Sequence, residues 1–386
     1  MYYVSYYSKP KGYIGMSEAE INRQYEIHNN KIITKVILAE NPDALSRQAF
    51  KKNKIIAKLT VLYQEYSELC SAYHLAVDDN HTMYHEFTIP KASGGYRTIC
   101  APCDELKDIQ RRLLKIFTKD LKCLPHNAVH GFTKRRNCKT ALMCHQKNES
   151  NWFCKLDIKN FFPSCTSITL AKTLLNIYPF NVLGLLYIQE IIRMCTRSGD
   201  LPSNPLTQGA PTSPYLANLM LLEVDYNIYS YCKQHDLIYT RYADDMLISS
   251  RKTIDIVAVQ NKVREELSAV GCALNGTKTR YGQCAGRNWN LGLMYNAEHD
   301  ITVGHKHKKN MTHAVHNFLT KPEVQTKEEQ YRLLGELGYC YYIEPDYFKP
   351  YLDKVKAQSR LHCVSKFYLF PEKAKSHKYQ PEKISG

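Results

Sequence analysis

The chain has 386 residues, with 52 Lys and Arg against 37 Asp and Glu, a net charge of +15 and 29 tyrosines. That length allows two or three subdomains, the basic balance suits a polyanionic partner, and the tyrosines offer stacking surfaces for unpaired bases. Its 14 cysteines do not read as a secreted disulfide framework, and with no signal peptide and no apolar run of membrane-span length, a cytoplasmic protein with no membrane partner is expected.

Residues 1–84 are polar, with helical stretches at 16–28 and 51–76, and read as an N-terminal extension. Lys91 and Arg97 flank Gly94-Gly95, a pair suited to a tight hairpin turn. Cys100-Ala101-Pro102-Cys103 has zinc-ligand spacing but lacks a second pair. Leu106, Ile109, Leu113, Ile116 and Phe117 then mark one helical face. Residues 151–158 read as a strand carrying a lone carboxylate, Asp157, followed by Phe161-Phe162-Pro163; at least one of these rings belongs to the core.

Gln208 to Pro214 holds the Gly and Pro of a turn. Thr212-Ser213-Pro214 can start a helix with Leu216, Leu219, Met220 and Val224 on its apolar face. Residues 237–240 and 246–249 are apolar strands around Tyr242-Ala243-Asp244-Asp245, a hairpin with paired carboxylates at its tip. An exposed turn would accept Asp-Asp. In an apolar stretch, however, adjacent aspartates repel each other and cost desolvation, and a cation such as Mg²⁺ would compensate. Val257, Val263, Leu267 and Val270 mark a helix before Gly271. His305, Lys306, His307, Lys308 and Lys309, with His313 and His316, read as a basic stretch rather than a metal cluster. Leu333, Leu334, Leu337 and Tyr341 form a further apolar face.

A two-metal phosphoryl-transfer site needs oxygen ligands that hold two Mg²⁺ roughly 3.5–4 Å apart. One ion activates the attacking hydroxyl and the other clamps the triphosphate. Asp157 with Asp244-Asp245 would supply carboxylates from neighbouring strands.

Taken in order, the segments at residues 91–99, 104–110, 130–132, 157–164, 208–214, 239–245 and 275–279 resemble the motifs of bacterial retron-type and defence-associated reverse transcriptases. The resemblance implies an α+β right-hand polymerase fold. Its parts would be a helical N-terminal extension (1–84), fingers (85–150), palm (151–300), helical thumb (301–370) and basic tail (371–386). It implies Asp157, Asp244 and Asp245 as catalytic acids and, with Ile158, as ligands of two Mg²⁺, with Mn²⁺ as a substitute. Phe162 would lie under the incoming sugar and clash with a 2′-OH, the group that separates RNA from DNA building blocks, so that dNTPs are used. Lys91 and Arg97 would neutralise the triphosphate. Gln208 would pack near the base and sugar, and Lys278 would be a general acid on the pyrophosphate. His305, Lys306, Lys308 and Lys309 would grip the template–product duplex through its phosphates.

The implied partners are a noncoding RNA template, its DNA product and dNTPs, with an effector protein encoded nearby and a homo-oligomer left open. The implied setting is anti-phage defence. Two elements depart from retrons. An Asn-Ala-x-x-His element is replaced by Thr140-Ala141-Leu142-Met143-Cys144 with His145 one place late, and Val-Thr-Gly is replaced by Asn290-Leu291-Gly292. Both are linked in the family to recognition of structured RNA, so the priming group stays open. Besides templated reverse transcription stand untemplated or protein-primed DNA synthesis, another palm enzyme such as an RNA-dependent RNA polymerase or a nucleotide cyclase, and a non-catalytic RNA-binding scaffold.

Overall fold

A computed structural model describes residues 42–75, 81–90, 94–177, 180, 183–197, 204–284, 289, 292–321 and 326–358. The helix expected at 16–28, Lys91, Asn290-Leu291 and the basic tail lie outside these residues. In chain order the elements begin α1 (Pro42–Ala72), β1 (Tyr84–Pro90), β2 (Tyr96–Pro102), α2 (Asp104–Lys115), α3 (Cys138–Lys147), β3 (Trp152–Asp157) and α4 (Phe161–Ser164). There follow α5 (Ser167–Asn176), α6 (Leu185–Cys195), α7 (Ser213–Met220), α8 (Leu222–Gln234), β4 (Ile238–Tyr242), β5 (Asp245–Ser250) and α9 (Ile256–Ala269). The last are β6 (Arg280–Gln283), β7 (Met294–Tyr295), β8 (Ile301–Thr302), α10 (His305–Thr320), α11 (Lys327–Ile343) and α12 (Pro345–Gln358).

These elements fall into two compact units, each drawn from three stretches of chain. The first comprises Met1–Asn127, Ile158–Asn227 and Val263–Leu274. The second comprises Ala128–Asp157, Ile228–Lys262 and Asn275–Gly386.

In the first unit, β1 and β2 form an antiparallel hairpin whose tip includes Gly94 and Gly95, at φ +88° and +77°. Such left-handed backbone favours glycine. Helix α2 opens on Asp104 and Glu105 and ends with Arg112 and Lys115, the polarity that complements a helix dipole. Leu106, Ile109, Leu113, Ile116 and Phe117 are all buried, as their spacing predicts. Lys58 pairs with Asp120 at 2.7 Å and Glu65 with Arg112, tying α1 to α2 and its extension. Helix α7 starts after Thr212 with proline in its first turn, and Leu216, Leu219, Met220 and Val224 are buried.

The second unit is built on a four-stranded antiparallel sheet in the order β4-β5-β3-β6. Strand alternation puts Phe153, Lys155 and Asp157 on one face of β3. Phe153 lies in the apolar core of this unit, with its ring centroid 5.0 Å from Trp289 and 5.4 Å from Tyr295. Met311, Val315 and Phe318 of α10 and Leu333, Leu334 and Leu337 of α11 belong to the same core. Thr326 and Glu329 form a capping box that starts α11.

Helix α9 corrects one expectation. Val257 is 68% exposed, and the buried face is Val259, Val263 and Leu267, at the i, i+4, i+8 spacing of a single stripe.

Candidate active site

The expected hairpin is present. Strands β4 and β5 are joined by Ala243 and Asp244, with Tyr242 opposite Asp245. Asp157, the last residue of β3, lies directly opposite Asp245 in the register of the sheet. Residues opposed in an antiparallel pair point to the same face, and like charges there destabilise the sheet. Two lysines answer them. Lys155 Nζ is 2.7 Å from Asp245 Oδ2, and Lys278 Nζ is 2.9 Å from Asp157 Oδ1. Asp244 has a different environment. Burial first, and then the charges of Asp245 and Asp157, push its carboxyl above the usual range, against its own backbone N–H and Lys278. Lys278, expected as a general acid, is held by Asp157, and that hydrogen bond pushes its ammonium pKa up.

The turn that presents Asp244 is supported from behind. Ala243 has φ +56°, and the fully buried Arg241 donates from Nη1 to the Ala243 carbonyl at 2.9 Å. The backbone of Arg241 is bonded on both sides. Its N–H donates to the Ala128 carbonyl at 2.8 Å, and its carbonyl accepts from the His130 N–H at 2.7 Å. A Cβ on Gly131 would run into the Ala243 backbone nitrogen, so the motif His130-Gly131-Phe132 is packed against the turn that carries Asp244. One element behind this, His145 on α3 is fully buried. Its Nε2 is 2.8 Å from Thr240 Oγ1 on β4, and its Nδ1 is 2.5 Å from Ser249 Oγ on β5. The departure noted at His145 is thus occupied by a core residue that links both strands of the aspartate-bearing hairpin.

The other expected residues are spread over both units. In the first, Arg97 is exposed on β2 opposite Ile89. Phe161 is buried and Phe162 half-buried, with ring centroids 5.2 Å apart. Gln208 is half-buried, and its carbonyl accepts the Cys100 N–H at 2.7 Å. A Cβ on the following Gly209 would lie 2.8 Å from the Cys100 carbonyl, so this turn needs glycine to sit on β2. Ile158 bridges to Leu274 through the flanking bonds of Lys159 to Ala273 and Asn275 to Asp157, which leaves its own carbonyl outside that ladder. In the second unit, His305, Lys306 and Lys309 are exposed in the first turns of α10. Lys308 is instead taken up by Glu344 at 2.5 Å and by the ring of Tyr347 at 4.4 Å.

The sequence alone assigned no role at this site to Lys155, Arg241 or His145. Lys155 had a signal, because a cation two places before an acid in a strand shares its face. Among the described residues no group of three or more His, Cys, Asp or Glu is placed to hold a metal ion, and that holds for the three aspartates as for the Cys100–Cys103 and polyhistidine stretches. Asp245 and Asp157 are each paired with a lysine, Lys155 and Lys278 respectively. The donor set still fits Mg²⁺. It is all oxygen, it carries more negative than positive charge, and burial of Asp244 in that field favours a compensating cation.

A family model for reverse transcriptase (RNA-dependent DNA polymerase) matches residues 89–335. The chain belongs to the reverse transcriptase family. It is 28% identical over 293 residues to the retron Ec83 reverse transcriptase of Escherichia coli, covering 74% of this chain and 91% of that one. It is 33% identical over 245 residues to the retron Mx162 reverse transcriptase of Myxococcus xanthus, covering 58% of this chain and half (50%) of that one. Among solved structures it is similar to apo telomerase from Candida Tropicalis, with a TM-score of 0.45, 13% identity, and coverage of 75% of this chain and 60% of that one. This reverse transcriptase is of the retron type, has the right-hand polymerase fold and is an RNA-directed DNA polymerase. No helix among the described residues is long and apolar enough to cross a membrane.

Proposed function

We propose that this reverse transcriptase copies a dedicated noncoding RNA into DNA by two-metal phosphoryl transfer, within a retron or related anti-phage system. The observation that carries this reading is the placement of Asp157 opposite Asp245 with Asp244 in the adjoining turn. Asp157 and Asp244, with the Ile158 carbonyl, would hold Mg²⁺, and Asp245 would support them. The ions would supply an activated 3′ hydroxyl and a clamped triphosphate. The protein's own part is positional. The hairpin fixes the carboxylates, Phe162 excludes a 2′-OH, Gln208 borders the sugar, and Arg97 with Lys91 receives the phosphates. Residues 85–150 act as fingers, 151–300 as palm and 301–370 as thumb. Lys306 places a cation in the first turn of α10, where a helix dipole disfavours it by about 0.3–1 kcal/mol. Phosphate binding there would offset that cost. The relatives named as retron enzymes support a noncoding RNA template, and an effector protein encoded nearby completes the proposed system.

The test is to isolate the protein with its native operon and sequence the nucleic acid that comes with it. DNA complementary to one co-purifying structured RNA is expected, and it should vanish with Asp157→Asn or Asp244→Asn while the RNA stays bound. DNA unrelated to the bound RNA would replace this reading with untemplated or protein-primed synthesis.

A further inference from the structure

Two lysines pair with two of the three carboxylates, and they are built differently. Lys155 comes from the middle of β3, where it is paired with Leu247 on one side and Arg280 on the other, so its backbone is fixed by two neighbouring strands. Its side chain runs along the carboxylate face to the diagonal neighbour Asp245, and the two side chains are only 12% and 19% exposed. Lys278 ends a single 3-10 turn, Gly276–Lys278, and is 57% exposed, although its partner Asp157 is 6% exposed. If Lys278 lets go, water takes up its ammonium. If Lys155 lets go, a cation is left in shielded space without its anion, which is far more costly.

We propose that Lys155 is a permanent cation of the catalytic centre, bound to Asp245 at every stage, whereas Lys278 is an exchangeable one that holds Asp157 only until divalent ions bind. The division assigns the acids. Asp245 spends an oxygen on Lys155 and positions the site, leaving Asp157 and Asp244 as the direct ligands. Three carboxylates less one retained ammonium leave two negative charges, which balance one divalent ion and leave the second to the charge of the triphosphate. Lys278, once released, is free to meet the incoming triphosphate. Lys155 is therefore a positioning residue. The inference rests on the metal-centre reading above.

The experiment is lysine footprinting of the full chain by reductive methylation and peptide mass spectrometry, in EDTA and in Mg²⁺, with Mn²⁺ binding followed in parallel by electron paramagnetic resonance. Methylation of Lys278 should rise several-fold in Mg²⁺, while Lys155 stays protected in both conditions. Thermal midpoints give a second readout. Lys278→Met should lower the midpoint in EDTA but not in Mg²⁺, Lys155→Met should lower it equally in both, and Lys155→Arg should restore it. Mn²⁺ binding without a change at Lys278, or with Lys155 exposed to the same degree, overturns the assignment of the two lysines and leaves the metal centre standing. Failure of the wild-type chain to bind Mn²⁺, with the fold intact, overturns the metal-centre reading and the inference with it.

Discussion

Asp157, Asp244 and Asp245 could be found in the sequence because acids set among apolar residues are a local signal. Lys155 shares a strand face with Asp157 by alternation, but its pairing with Asp245 across 90 positions is not a local signal, nor is the bond of His145 to Thr240 across 95. Phe161 and Phe162 show the same limit, because adjacency cannot say which ring is buried. The structure buries Phe161 and leaves Phe162 half-buried. Phe162→Ala should therefore leave the fold intact and cut discrimination against ribonucleotides at least tenfold, about 1.4 kcal/mol, measured by single-nucleotide incorporation of dNTP against NTP. Phe161→Ala should instead destabilise the fold by about 3–5 kcal/mol. His145 predicts a pH dependence. Burial pushes its imidazole from 6.5 down to about 3, so between those values the unfolded chain binds a proton that the folded chain does not. Stability must then rise with pH across that window and fall on acidification from about pH 6.5. Urea unfolding at pH 7 and pH 5 checks this, and in His145→Gln the difference should shrink.

At the level of elements, the clearest dependence is that of the Ala243-Asp244 turn on the segment behind it. Gly131 lies where a side chain would collide with Ala243, and the turn is further tied through Arg241. Gly131→Ala should displace Asp244, with a stability cost of about 1–3 kcal/mol and a larger fractional loss in rate than in RNA affinity. Primer-extension kinetics beside RNA filter binding would separate the two. Helix phase shows why some elements were legible and others less so. Five apolar positions in and after α2 leave one possible face. At the start of α9, Val257 and Val259 are both apolar, and only the packed structure selects Val259.

For the whole molecule, composition suited a polyanionic partner without naming an activity, while the grouping of segments into units was not legible. It depends on pairings such as Trp152 with Gln283, which no local pattern announces. Phe153 of β3 and Leu337 of α11 belong to one apolar cluster, so Leu337→Ala, although far along the chain from Asp157, should cost about 2–5 kcal/mol. Thermal unfolding should show β3 and α11 lost in one transition. The interleaving has a hereditary consequence. Because each unit is assembled from three separate stretches, a single genetic crossover between two related enzymes, wherever it falls, leaves at least one unit with parts from both parents. Strands and core residues that arose in different lineages would then have to pair. Chimeric offspring should mostly be inviable, and such enzymes would diversify by point substitution and by exchange of whole genes rather than by trading halves.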